Sequence, residues 1–335
     1  MVKFYYTGEG NAPEKLDGFK EKCWIDLVNP SDDECEEVSL STGISEDMLK
    51  AALDEEESAR TEFDDGNCMF IVDCPVIEED DGGGDTYSTL PLGLIYNSKC
   101  IVTVCLKENN LLKEFITGRE KILTDRPLHF ILTFMLGNAK KFLYCLKQID
   151  RKTRRIQSEM EKTMRNAEII QLLDLQNSLV YFSTSLNSNA RVHEKLFKVE
   201  GVQAREEYLD LYEDVIIEGK QAIETCNIYK SILSVTMDAY GSVISNNAND
   251  TMKKLTIITI LLAIPTMIAG FWGMNMPVPW QEGYTFAQTG WFWLVVGGAL
   301  ILTVGIGALL LKSKRELRPK KQRQKRKKKD KLTRD

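Results

Sequence analysis

Asp238, Ser245, Met252, Thr259, Thr266 and Gly273 recur at a strict interval of seven, with Asn249, Thr256, Ala263 and Gly270 between them. On a helix, heptad spacing keeps one seam turned toward partner helices. This seam is small or polar, while Ile257, Ile258, Leu261, Leu262 and Ile264 point elsewhere. Below Asp238 its oxygens belong to hydroxyls and a carboxamide, which do not titrate. Such residues let helices pack closely. They can equally line a polar path, and packing alone explains Asp238 and Asn249 less well. Asn275 follows Gly273 and Met274 at the end of the run. Read alone, it is either a helix C-cap or a neutral dipole aimed by the turn that Gly273 permits.

The elements that must position these residues are apolar. Residues 255–272 form an uncharged run of 18, close to the roughly 20 needed to cross a bilayer core. A second uncharged run covers 283–311, with its apolar part starting near Trp291. Lys253, Lys254 and a tail rich in Lys and Arg flank the two runs on one side, and the connecting loop, 276–288, carries only Glu282. The charge bias places both termini inside and the loop outside. Two helices cannot enclose a conduit, so a conducting assembly needs several copies around an axis. No proline or clear break interrupts the helical pattern from about Ala204 to Pro265. That would make a helix of roughly 90 Å at 1.5 Å per residue.

Gly273-Met274-Asn275 closes the first of two C-terminal membrane helices after a long water-soluble region, and Ile268-Ala269-Gly270 precedes it. In this arrangement the chain resembles the CorA family of magnesium channels. The resemblance extends to about Leu311, and Trp24-Ile25-Asp26-Leu27 and Thr103-Val104 fall where the family has similar pieces. The chain departs from the family at Met276, where an aromatic often follows the Asn, and in its loop of single acidity. The resemblance implies a funnel-like homopentamer with an α/β cytosolic N-terminal domain, a long helical stalk and two C-terminal transmembrane helices. The expected division is 1–120 for the α/β domain, 121–250 for the stalk and 251–272 for the pore-lining helix. The external loop then covers 273–289, the second membrane helix 290–311 and the basic cytosolic tail 312–335.

The resemblance also implies a selectivity filter at Gly273, Met274 and Asn275. Mg²⁺ is small, holds its water tightly and demands octahedral oxygen coordination. One carboxamide oxygen per subunit cannot cage a bare ion, but a ring of them can accept hydrogen bonds from its water shell. Met252 and Leu255 fall where the family narrows its pore with apolar side chains, which close by dewetting. Regulatory Mg²⁺ is implied between neighbouring cytosolic domains, with Asp210, Glu213 and Asp214 as candidate ligands and Asp80 and Asp81 as weaker ones. The alternative cargo is Zn²⁺, Co²⁺ or Ni²⁺. Met274 favours Mg²⁺, since zinc-exporting relatives tend to carry Ile there. The expected location is the cell membrane, multi-pass.

Composition bounds the rest. The 335 residues carry a net charge of −6, which combines a basic tail from Lys312 with an acidic body. The tail holds 14 Lys/Arg against 3 Asp/Glu, and the remainder is −17. A basic cluster directly after a membrane helix binds anionic headgroups, so the expected partners are membrane lipids and other copies, not nucleic acid. Eight cysteines at irregular spacing and two distant histidines, His129 and His193, form neither a zinc pattern nor a disulfide framework. No nucleophile–base set or phosphate loop suggests an enzyme. The N-terminus has no apolar stretch of the signal-peptide kind. Residues 1–120 read as mixed α/β, with strands at 3–6, 23–27, 69–76, 90–96 and 100–104. Helices are expected to start at Ser31, with Glu34 at capping-box spacing, and at Ser45. Gly82-Gly83-Gly84 reads as an acidic hairpin loop. Helical periodicity then covers 127–199, with its second helix from about Glu168.

Overall fold

The computed structural model describes residues 1–7, 13–79, 85–160, 166–199, 201–203, 205–272, 294 and 296–306. They belong to two units, Met1–Asp238 and a second from Ala239.

The first unit is built on seven strands: β1 (Val2–Tyr6), β2 (Glu14–Leu16), β3 (Cys23–Val28), β4 (Arg60–Asp64), β5 (Asn67–Glu79), β6 (Asp85–Tyr96) and β7 (Cys100–Cys105). They form one sheet in the order β2-β1-β3-β7-β6-β5-β4. Among the described residues only β3 and β7 pair in parallel, with Ile25 opposite Val102. Helices α1 (Asp32–Thr42) and α2 (Glu46–Ala51) separate β3 from β4, and α3 (Asn110–Ile116), α4 (Pro127–Met160) and α5 (Asn166–Leu196) follow β7. The long helix α6 (Glu206–Trp272) comes last.

All five expected strands are present. The sheet also contains β2 and β4, whose sequences EKL and RTEFD carry no apolar run to mark them. Ser31 caps α1 with the full reciprocal box to Glu34, and Gly43 ends it at φ 81°, a conformation glycine adopts at no steric cost. Ser45 caps α2, and Asn109 caps the unexpected α3.

Both faces of the sheet are covered. Ile25, Leu27, Met69 and Val102 pack with Cys35, Val38 and Leu49 under α1 and α2. Trp24, Phe70 and Leu94 pack with Phe115, Phe130, Phe134 and Leu196 on the other face. Central strands buried on both faces become continuous apolar runs, as CIVTVC in β7 is. The polar members of these strands pair with one another. Trp24 Nε1 donates to Thr103 Oγ1 at 2.9 Å, and Thr103 Oγ1 donates to Asp26 Oδ1 at 2.9 Å. Burial raises the Asp26 carboxyl pKa, and the Thr103 hydrogen bond opposes that shift.

Beyond Asp73 on β5 and Leu92 on β6, the two strands pair only with each other. Pro75 and Pro91 sit in this two-stranded arm, where an outer edge needs no donor. Helices α4 and α5 bind its base through amides. Asn189 accepts from Asp73 N and donates to Asp73 O, both at 2.8 Å, and Asn138 Nδ2 donates to the same carbonyl at 2.8 Å.

His193 on α5 is 6% exposed and lies against Gly219 of α6, whose added Cβ would come within 3.6 Å of the ring. Burial lowers the His193 pKa to about 4. The unfolded chain therefore takes up this proton first as pH falls below about 6.5. Stability is unaffected above that value and is lost as pH falls toward 4, by about 3 kcal/mol in all. Between pH 7 and 5 the full chain in detergent should lose about 2 kcal/mol more in urea unfolding than His193→Gln does. Equal losses would show that His193 takes up its proton as readily in the folded chain as in the unfolded one.

Candidate functional site

Asp238, Ser245, Asn249, Met252, Leu255, Thr256, Thr259, Ala263, Thr266 and Gly270 all lie on α6, and all are exposed in the single chain. Between 241 and 256 every position is exposed, so exposure there does not discriminate. It does at both ends. Within 257–270, Ile257, Leu261, Ile264 and Ile268 are partly covered and fall at 4-3-4 spacing, while the seam positions stay open. Within 215–233, Val215, Gly219, Ala222, Cys226 and Leu233 are buried against their own unit. Ile217, Glu224, Ile228, Ser231 and Val235 continue the heptad register of the seam upward and are all exposed. Sequence reasoning stopped this register at Asp238, because the apolar Ile228 and Val235 mask the polar pattern. The conspicuous signal was the interval itself. Ile228 is 56% and Val235 is 68% exposed, a poor outcome for β-branched residues unless something outside the chain covers them.

The threonine hydroxyls are oriented. Thr256, Thr259 and Thr266 donate to the carbonyls of Met252, Leu255 and Leu262 at 2.8–2.9 Å. Each hydroxyl proton is thus committed to the helix, and the oxygen keeps its lone pairs as an acceptor. A Cβ added at Gly270 meets no atom within 4 Å, so packing within the chain does not require glycine there. One stretch of α6 is long and apolar enough to cross a membrane, with a mean hydropathy of 1.7 and no part of it buried. An apolar helix covers Val296–Ile306. No Asp, Glu, His, Lys or Arg occurs between 255 and 272.

Asp210, Glu213 and Asp214 are exposed on the early turns of α6. Asp210 and Asp214 fall in the seam's own register, seven residues before Ile217 and Gln221. Among the described residues no three His, Cys, Asp or Glu side chains gather to hold a metal. A cation on these carboxylates therefore needs oxygens from water or from another copy. Gly273, Met274 and Asn275, the expected filter, lie outside the described residues, as do Asp80 and Asp81. The eight cysteines are free thiols, seven of them buried. Burial drives the Cys100 and Cys105 thiols up to about 12, which suits packing rather than reactivity.

Comparison with known proteins supplies the family. The family model described as CorA-like Mg2+ transporter protein matches residues 19–315. The Cobalt/magnesium transport protein CorA of Methanocaldococcus jannaschii is 28% identical over 261 residues, covering 75% of this chain and 79% of the relative. The complete structure of the CorA magnesium transporter from that organism aligns with a TM-score of 0.74 at 24% identity, over 95% of this chain and 98% of the other. The cytoplasmic domain of ZntB from Vibrio parahaemolyticus shares the fold at a TM-score of 0.57 and 10% identity, over 73% of this chain and 98% of that domain. The matched span takes in strands β3 to β7 of the sheet, the helices packed on it, α6 and the apolar segment after it, and the chain belongs to the CorA-like family of Mg²⁺ transporters.

Proposed function

We propose that this chain is the subunit of a homopentameric magnesium channel that admits hydrated Mg²⁺ passively across the cell membrane. The observation that carries the reading is the exposed heptad seam of α6, opposite the face its own unit covers. Copies around an axis would turn that seam inward. The Mg²⁺ water shell offers only hydrogen-bond donors outward, and the threonine oxygens of the seam are acceptors with their own protons already spent. The ring of Asn275 carboxamides at the outer end would select the hydrated ion in the same way, with Gly273 and Met274 shaping the turn. Met252 and Leu255, 61% and 57% exposed, would form the apolar constriction. A divalent ion gains roughly 4.6 kcal/mol on entering down 100 mV, so uptake needs no other energy source. The absence of titratable side chains from 255–272 argues against a proton-coupled cycle. The relative named a cobalt/magnesium transport protein makes Co²⁺ a second candidate cargo, beside Ni²⁺ and Zn²⁺. The test is Mg²⁺ flux into proteoliposomes with Co²⁺, Ni²⁺ and Zn²⁺ as competitors. Flux of Zn²⁺ with none of Mg²⁺ would overturn the assignment.

Both termini are proposed to be cytoplasmic, with the basic tail on anionic lipid. An impermeant thiol reagent should label Gly283→Cys from outside only, and labelling from inside inverts the topology. Intracellular Mg²⁺ is proposed to close the channel by binding Asp210 and Asp214 across neighbouring copies, with Glu213 beside them and Asp80 and Asp81 as further ligands. Because the carboxylates are the hard oxygens such an ion prefers, Asp214→Ala should raise the internal Mg²⁺ needed for half-inhibition by about tenfold. An unchanged inhibition curve would move the sensor elsewhere.

A further inference from the structure

The heptad register that holds Asp238 runs back through Ser231 to Glu224. At 1.5 Å per residue, Glu224 and Asp238 stand about 21 Å apart along α6. Between them Ile228, Ser231 and Val235 face the same way, and all are exposed in the single chain.

The charges of this stretch are sorted by face. Lys230 donates to Ser183 Oγ of α5 at 3.4 Å, and Lys220 lines a small cavity with His193 and Glu194. Both cations thus turn toward α5. Glu224 does not. Ala222 and Cys226, two positions to either side of it, are buried, which puts Glu224 on the opposite face. It is exposed there and has no ion pair among the described residues.

A carboxylate suits a dry seam badly. Where helices of several copies meet through heptad positions, those positions want apolar side chains. A charge buried there without a partner is costly, and every copy adds one more. A water-filled path removes the cost, because each carboxylate keeps its hydration. Ser231 fits the same path. Its hydroxyl donates to the Asn227 carbonyl at 2.9 Å, so its oxygen stays an acceptor, as those of Thr256, Thr259 and Thr266 do.

We infer that the ion path continues along α6 from Asp238 to Glu224, and that a ring of Glu224 carboxylates draws cations through the apolar stretch of Ile228 and Val235. This role rests on α6 being the lining helix of the channel. Rings of acidic side chains favour cations in a pore, and charge of one sign lining a cleft raises the local concentration of counter-ions.

Mg²⁺ influx into proteoliposomes, measured well below saturation, tests the ring. Glu224→Gln should lower the flux about threefold and Glu224→Lys by more than about tenfold, with both oligomers eluting at the wild-type size. Asp174→Lys, the matching reversal on an exposed residue of α5, should leave it unchanged. Added salt should close most of the gap to wild type, since the Debye length falls from about 30 Å at 0.01 M to about 3 Å at 1 M. A carboxylate that only senses Mg²⁺ acts in the opposite sense, because its loss relieves inhibition and raises the flux. The ring is overturned, and the channel stands, if wild type conducts Mg²⁺ and both Glu224 variants match or exceed it. A loss that salt leaves undiminished overturns the ring as well. If wild type passes no Mg²⁺, the channel reading fails and the ring fails with it.

Discussion

Asn275→Ala should abolish Mg²⁺ flux in proteoliposomes, by on the order of 100-fold or more, while the oligomer elutes at its wild-type size. Each carboxamide oxygen that accepts from a shell water contributes about 0.5–1.5 kcal/mol. A ring loses one such bond per copy at once, so the loss multiplies across the assembly. Within 276–288 the other carboxamides, Gln281 and Gln288, and the one acid, Glu282, all lie six or more residues beyond Asn275. Asn275→Asp separates selection from mere attraction. A ring of carboxylates binds a divalent cation tightly, and conduction requires a site weak enough to leave. The Asp variant should therefore bind Mg²⁺ more strongly and pass it more slowly than wild type. Wild-type flux in the Ala variant would remove the filter from this tripeptide and return Asn275 to the role of a helix cap.

The parts of this molecule that were legible in its sequence are those written in short-range chemistry. β3 and β7 announce themselves as CWIDLV and CIVTVC, and α1 by Ser31 with Glu34 three residues on. The partnership between β3 and β7 was not legible. It joins residues 77 apart, as Asp26 with Thr103 shows, and local patterns carry no information on which distant strands meet. The return of α4 and α5 to the sheet was equally hidden. It depends on Asn138 and Asn189 finding one carbonyl, that of Asp73, and a sequence read for periodicity treats both as surface amides. The seam was legible because its interval is strict. Its upward continuation was missed because Ile217, Ile228 and Val235 look like core residues until a fold buries the opposite face. The metal-sensing role proposed for Asp210 and Asp214 is not written in one chain at all, since their other ligands would come from a second copy or from water.

Thr266→Val and Thr266→Ser divide the two readings of the seam that the spacing leaves open. Valine keeps the shape and β-branching of threonine and removes the oxygen. If the seam only packs helices together, Val should be neutral and Ser, which loses a methyl, should be the damaging change. If the oxygens receive hydrogen bonds from the water shell of a passing ion, the order reverses. Serine retains the hydroxyl and can still donate to the Leu262 carbonyl, as Thr266 does at 2.8 Å, so its oxygen remains an acceptor. Valine leaves that carbonyl with its helical bond alone and presents a ring of methyl groups to the ion. At about 1 kcal/mol for each lost bond, two copies suffice to exceed the 1.4 kcal/mol that corresponds to tenfold. Mg²⁺ flux should accordingly fall more than tenfold in Thr266→Val and stay within about threefold of wild type in Thr266→Ser. Equal flux in wild type and Val would make the seam a packing surface, and the ion path would have to be sought on another face of α6.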